Sequence, residues 1–403
     1  MDATGLARTQ FALTTSFHFL FVLLTLGLVT VVAIMQTRHA LGGKPELRRM
    51  TRFWGKLYVI NYALGIATGI VMEFQFGLNW TGLSAVAGDV FGAPLAIETL
   101  VAFFLESTFL GLWIFGWDRL GKWVHLALIW LVTLTAYASA YFIMVANSFL
   151  QNPAGATARG GTLELDDFGA LLANPALRSA LPHLITGALL TGGVFVTGVS
   201  AYHFLKRTTE VEFFRRSMRV GVVLSLISSP FVISQGFAQF GEIRGYQPGK
   251  LEDPAVGAPL DLMIMIGFVL FITAALGAVL LYRNLVTRAR PLLYLMVLGI
   301  PLPFIAAICG WLVREIGRQP WLVNGYLRTS DAVAGIPAGQ VLASMLVFVV
   351  LFAGLAVADW VLMARIARRG PETTAPEPDD EPRLVVLTME VGYGATRDRM
   401  ILV

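Results

Sequence analysis

Nine runs of about twenty apolar residues constrain this chain more than any other feature. A helix needs roughly 20 apolar residues to cross about 30 Å of hydrocarbon. The runs lie near 11–36, 54–74, 94–116, 124–148, 183–204, 218–238, 260–282, 292–313 and 338–365. They are continuous rather than alternating, which favours helices over barrel strands. The first is too long for a removable signal peptide and lacks a small-residue cleavage site. Charged residues make up 14% of the 403, against roughly 25% in soluble domains. Such a chain cannot cover itself with a polar surface. The expected fold class is an all-α polytopic membrane protein with nine transmembrane helices. Lys plus Arg exceed Asp plus Glu only as 30 to 26, too little to imply a nucleic-acid partner. The single cysteine, Cys309, excludes an internal disulfide and any multi-cysteine metal site.

Loop charge sets the expected orientation. Arg38, Lys44, Arg48, Arg49, Arg52 and Lys56 crowd the first loop, and Lys206, Arg207, Arg215, Arg216 and Arg219 the fifth. The second loop, from Glu73 to Pro94, has no Lys or Arg. Positive loops stay inside, so the N-terminus is expected outside and the C-terminus in the cytoplasm. Arg314, Arg318 and Arg328 break the rule by falling on the outer side, which suggests local work for them. Residues 1–370 read as the membrane domain, with a short outer loop at about 239–259. Residues 371–403, rich in Pro, Glu and Asp, read as a disordered cytoplasmic tail.

Ionisable residues inside a membrane are expensive and mark function by default. His39, His125 and His203 fall near Lys and Arg at inner span ends and read as interfacial anchors. His18 and His183 fall in the outer thirds of their spans, with Met263 and Met265 at a similar depth. Imidazole and thioether ligate haem iron without adding charge. They also serve as bundle hydrogen-bonders and packing. Glu98 and Glu106 are eight residues apart, about 12 Å of rise and roughly 80° of rotation in an α-helix. They suit a proton path or a metal site, and Ser139 and Asn147 repeat the spacing in the next span. A polar seam between helices is the alternative. Glu315 alone reads as a partner of Arg314 or Arg318, and Asp359 as a partner of Arg365. Trp80, Trp311 and Trp321 suit an aromatic belt or a cofactor wall equally.

The longer strings carry a resemblance. They include Arg8-Thr-Gln-Phe-Ala-Leu-Thr-Thr-Ser-Phe-His18, Met72-Glu-Phe-Gln-Phe-Gly-Leu-Asn-Trp80 and Phe91-Gly-Ala-Pro-Leu-Ala-Ile-Glu98. Others are Val145-Ala-Asn-Ser-Phe-Leu-Gln-Asn-Pro153, Gly245-Tyr-Gln-Pro-Gly-Lys250 and Gly310-Trp-Leu-Val-Arg-Glu315-Ile-Gly-Arg-Gln-Pro-Trp321. Up to about residue 370 the chain resembles subunit I of the cytochrome bd quinol oxidases. The resemblance implies a prokaryotic inner-membrane enzyme that oxidises membrane quinol at the outer face. Oxygen is then reduced to water with protons taken from the cytoplasm.

It further implies a low-spin haem b held by His183 and Met265, and a high-spin haem b and a haem d at the His18 and Glu315 sites. Glu98, Glu106, Ser139 and Asn147 become haem-site and proton-path residues. Lys250 becomes part of the quinol loop. The implied partners are a second membrane subunit, forming a heterodimer, and small single-span subunits. Two positions depart from the family pattern. Met263 stands where an arginine is usual, and Ala255 where a loop glutamate is usual, leaving Glu252 as the nearby substitute. A divergent haem protein with another electron donor, or with haem b in place of haem d, fits these departures. From another class, a proton-coupled transporter using Glu98 and Glu106 fits the same carboxylates.

Overall fold

The computed structural model describes residues 2–283 and 285–372. The acidic tail beyond residue 372, expected to be disordered, lies outside the described residues. Among those residues, nine helices are long and apolar enough to span a membrane. They are α1 (Ala3–Gly42), α2 (Pro45–Asn79), α3 (Thr81–Phe115), α4 (Lys122–Gln151), α5 (Ala180–Leu205), α6 (Val211–Tyr246), α7 (Pro254–Tyr282), α8 (Arg290–Ile316) and α9 (Ala338–Arg369). Each contains one of the nine apolar runs, because lipid leaves the backbone no partner but itself.

Local chemistry sets several ends and breaks. Asp2 caps α1 by accepting from the Gly5 N–H at 2.8 Å. Asp253 caps α7 through the Ala255 N–H at 2.9 Å, with Pro254 opening the helix. Within α3, Pro94 interrupts the hydrogen-bond ladder, and the next turns open into a π segment, Glu98–Phe103. Residues 299–301 break α8 into Arg290–Leu298 and Leu302–Ile316.

The helices pack as two groups joined along α1 and α5. α1 lies against α2, α4 and α5; α3 lies against α4. α5 lies along α6, α6 along α7, and α7 along α8, which returns to α5. α9 rests on α1 and α2. Glycines let α1 and α5 touch. A Cβ on Gly27 would sit 2.3 Å from the Ala188 carbonyl oxygen and 2.7 Å from the Gly192 nitrogen. Small residues permit this backbone approach, which supplies packing where lipid supplies no hydrophobic drive. Between α4 and α5 runs a hairpin of β1 (Ala156–Arg159) and β2 (Thr162–Leu165). After α8 comes a smaller one, β3 (Trp321–Val323) with β4 (Leu327–Arg328).

Three expectations change. The loop expected at about 239–259 is almost wholly helical. α6 runs on to Tyr246, a 3₁₀ turn covers Pro248–Glu252, and α7 begins at Pro254. His125 and His203 are buried hydrogen-bonders rather than interfacial anchors. His125 Nδ1 meets Gln36 Nε2 at 2.8 Å and its Nε2 meets the Trp113 carbonyl at 2.9 Å. His203 Nε2 meets the Ala367 carbonyl at 2.7 Å, and its ring stacks on Phe214. Asp359 makes no ion pair with Arg365; it is 3% exposed, with Oδ1 unpartnered.

Candidate functional site

One cavity of about 840 Å³ gathers most of the polar residues singled out in the sequence. His18, Glu98, Glu106, Ser139, Asn147, His183, Lys250 and Glu315 all line it. The volume falls within the range of about 300–1,000 Å³ common to ligand sites. Trp80 and Trp311 wall it, whereas Trp321 does not.

Both cavity histidines are held the same way. His18 Nδ1 lies 3.0 Å from Thr68 Oγ1, and that hydroxyl gives its own proton to the Gly65 carbonyl at 2.7 Å. Thr68 therefore accepts from His18, which fixes the proton on Nδ1. His183 Nδ1 donates to the Val232 carbonyl at 2.8 Å. In each ring Nε2 is left with its lone pair, as a metal-ligating imidazole requires. Glycines crowd both rings. A Cβ on Gly69 would be 3.0 Å from His18 Cε1, and one on Gly236 would be 3.2 Å from His183 Cε1.

The acidic residues occupy two places. On α3, Glu98 accepts from Ser139 Oγ at 2.5 Å and from Thr99 Oγ1 at 3.2 Å. Glu106 is 5% exposed and its Oε1 has no partner. The π segment starts at Glu98, so the phase between the two carboxylates is not that of a regular α-helix. Nearby, Tyr62 and Ser107 share a hydroxyl contact of 3.3 Å.

At the C-terminal end of α8, Glu315 accepts from Asn147 Nδ2 at 3.1 Å and pairs with Arg318. Arg314 donates to Asn147 Oδ1 and to Ser148 Oγ. Lys250 enters this knot from the turn between α6 and α7. Its Nζ donates to Gln151 Oε1 at 3.2 Å, Gln247 Oε1 at 3.1 Å and the Arg314 carbonyl at 2.9 Å. Burial, and after it the Arg314 charge, push the Lys250 ammonium down to about 7, with Glu315 acting in the opposite sense. Three cations thus meet one carboxylate, and Arg318 Nε and Nη1 are unpartnered. Buried charges need partners, so this corner suits an anionic ligand group such as a haem carboxylate. Together with two imidazoles offering Nε2, the donor set fits haem.

Two candidates stand apart. Met265 is 56% exposed and does not reach the cavity. Met263 does, sharing its face of α7 with Ile264 and Gly267; a Cβ on Gly310 would lie 2.9 Å from its sulfur. Glu252 is exposed and off the cavity wall. Sequence reasoning missed Thr68, Gln151 and Gln247, which are neutral and carry no signal of their own. Arg314 and Arg318 did carry one, as cations on the wrong side of the positive-inside rule.

The whole described membrane unit matches one family model, that of the cytochrome bd terminal oxidase subunit I, over residues 6–253 and 254–371. The chain belongs to this family. The cytochrome bd ubiquinol oxidase subunit 1 of Bacillus subtilis (strain 168) is 38% identical over 445 residues, covering 92% of this chain and 95% of the relative. The cytochrome bd-II ubiquinol oxidase subunit 1 of Escherichia coli (strain K12) is 31% identical over 506 residues, covering 93% and 98%. The bd oxidase structure from Geobacillus thermodenitrificans superposes with a TM-score of 0.84 at 24% identity, covering 92% of this chain and 99% of that one. That likeness shows the fold. As a bd-type subunit I, the chain is an integral membrane protein of a haem-bearing, multi-subunit terminal oxidase.

Proposed function

We propose that this chain is the core subunit of a quinol:oxygen oxidoreductase in a prokaryotic inner membrane, with its N-terminus outside and its C-terminus in the cytoplasm. The observation that carries the reading is the pair of imidazoles on one cavity, each with Nδ1 tied back and Nε2 free. His183 would hold a low-spin haem b together with a thioether from α7. Met265 is the methionine of the family pattern; Met263, which lies on the cavity wall, is the one proposed here for that role. His18 and Glu315 would hold the high-spin haem b and the haem d. Bound haem supplies one-electron transfer and the centre at which oxygen is reduced.

The chain's own groups do the rest. Arg318 and Arg314 offset the anionic groups of the cofactors. Lys250, with Gln151 and Gln247, presents polar groups toward a quinol at the outer end. Glu106, Glu98 and Ser139 carry protons arriving from the cytoplasmic side to the cavity. A second membrane subunit completes a heterodimer, with small single-span subunits beside it.

Glu252 lies off the cavity and Ala255 has no acid, so Lys250 works without a loop carboxylate. This favours a donor site altered from the family pattern. A reduced-minus-oxidised spectrum of the purified complex, with quinol-driven oxygen uptake, tests both readings. Haem b bands with uptake support the oxidase. A far-red chlorin band is required for haem d; haem b without it means haem b at the oxygen site. No haem bands at all would overturn the oxidase reading.

A further inference from the structure

Lys250, Arg314, Glu315 and Arg318 all line the cavity at one corner, and their charges do not cancel. Arg318 pairs with Glu315 and keeps Nε and Nη1 unpartnered. Lys250, brought down to about 7, carries only part of a charge near neutral pH. Arg314 is different. Its Nε donates to Asn147 Oδ1 and its Nη2 to Ser148 Oγ at 3.3 Å. Among the described residues, its side-chain hydrogen bonds therefore go to neutral oxygens. A guanidinium does not give up its proton. The chain thus fixes one permanent positive charge on the cavity wall, with no carboxylate hydrogen-bonded to it.

Placement gives this charge a target. Gly310 lies one turn before Arg314 on α8, and residues four apart share a helix face. A Cβ on Gly310 would lie 2.9 Å from the Met263 sulfur. The Arg314 charge also acts on the His183 ring, whereas no cation is among the groups acting on His18. We propose that Arg314 sets the reduction potential of the haem held by His183 and Met263, favouring its reduced form. This rests on the ligand assignment proposed above. Oxidised iron carries one positive charge more than reduced iron, and a fixed cation nearby disfavours that extra charge. The cation comes from α8, whereas α7 carries Met263 where the family pattern has an arginine. Arg318, with two free N–H groups, remains the cation for a haem carboxylate.

Redox titration of the purified complex, followed in the low-spin haem band, tests this. Arg314→Gln should make that haem about tenfold harder to reduce, a fall of about 59 mV for one electron. Arg314→Lys should stay near the wild type, because it keeps the charge and loses only the planar fork. If Arg314→Gln loses the low-spin haem, Asn147→Asp decides. It sets a carboxylate against Arg314 Nε, cancels the charge with the guanidinium in place, and should produce the same fall. An unshifted low-spin potential in the charge-cancelled variant overturns the proposal, as does an equal fall in Arg314→Gln and Arg314→Lys. Loss of the low-spin haem from Arg314→Lys, or from both Arg314→Gln and Asn147→Asp, also overturns it, by making the residue an anchor. Failure of the oxidase reading would show separately, as missing haem bands in the wild type.

Discussion

His18 and Thr68, fifty residues apart, are joined so that the imidazole proton has one place to be. Nδ1 lies 3.0 Å from a threonine oxygen whose own proton is committed to the Gly65 carbonyl. Removing the hydroxyl leaves a buried N–H unpaired, at a cost of about 1–3 kcal/mol. Thr68→Val should therefore weaken haem retention at the His18 site by about 10–100-fold, as for other outer partners of a ligand. Haem content and the high-spin bands of the purified variant are the check. Full occupancy with an unaltered spectrum would mean that Thr68 does not orient the ring.

The two methionines of α7 face different ways, and they should behave differently. Met263→Leu should perturb the low-spin haem signal, and Met265→Leu should spare it. His183→Ala should abolish the same signal by removing an axial ligand. The reverse order for the methionines would return the ligand role to Met265, with α7 rotated about its axis in the loaded complex.

Glu106 is buried with one carboxyl oxygen unpartnered. A group placed so, close to Ser107 and Tyr62, can pass protons without being needed to hold the fold. Glu106→Gln should lower turnover by about 100-fold or more, since an amide does not relay protons as a carboxyl does. The haem spectra should stay near wild type. Undiminished oxygen uptake would remove Glu106 from the path.

Lys250 gives a pH dependence with a definite sign. Its ammonium is brought down to about 7 in the fold, against about 10.4 in an unfolded chain. Between those values the unfolded chain binds more protons, so this residue makes stability rise with pH. Below about 7 both forms are charged and the cost of the buried cation is fully present. Thermal unfolding of the complex from about pH 6 to about pH 9 should show the wild type gaining on Lys250→Met. A constant difference across that range would contradict the assignment.

Gly27 and Gly192 bring two backbones into contact. Gly27→Ala would place a Cβ 2.3 Å from the Ala188 carbonyl oxygen. The helices must separate, which should cost about 1–3 kcal/mol and lower the unfolding temperature. An equally stable variant would show that α1 and α5 can slide apart freely.

Spans were legible because each reports on itself. An apolar run of sufficient length satisfies its own backbone in lipid, whatever surrounds it. His18, His183 and the α3 carboxylates were legible for a related reason: ionisable groups at membrane depth are costly, so their presence marks a site. Thr68, Gln151 and Gln247 gave no such sign, because a neutral side chain is cheap anywhere on a polar seam. Met263 and Met265 are alike in type and depth; the family resemblance pointed to Met265, whereas the side of α7 that lines the cavity carries Met263.

The amino-acid sequence alone determined nine membrane-length helices and the membership of an oxidase family. Hydropathy and residue type act locally and need no neighbours. Tertiary structure alone decided which nitrogen of each histidine is free, which methionine meets the cavity and how Lys250 comes to be buried beside two arginines. Those are questions of direction and partner. They are settled by helix rotation and close packing, which bring Thr68 to His18, Val232 to His183 and the Arg314 carbonyl to Lys250 across long stretches of chain.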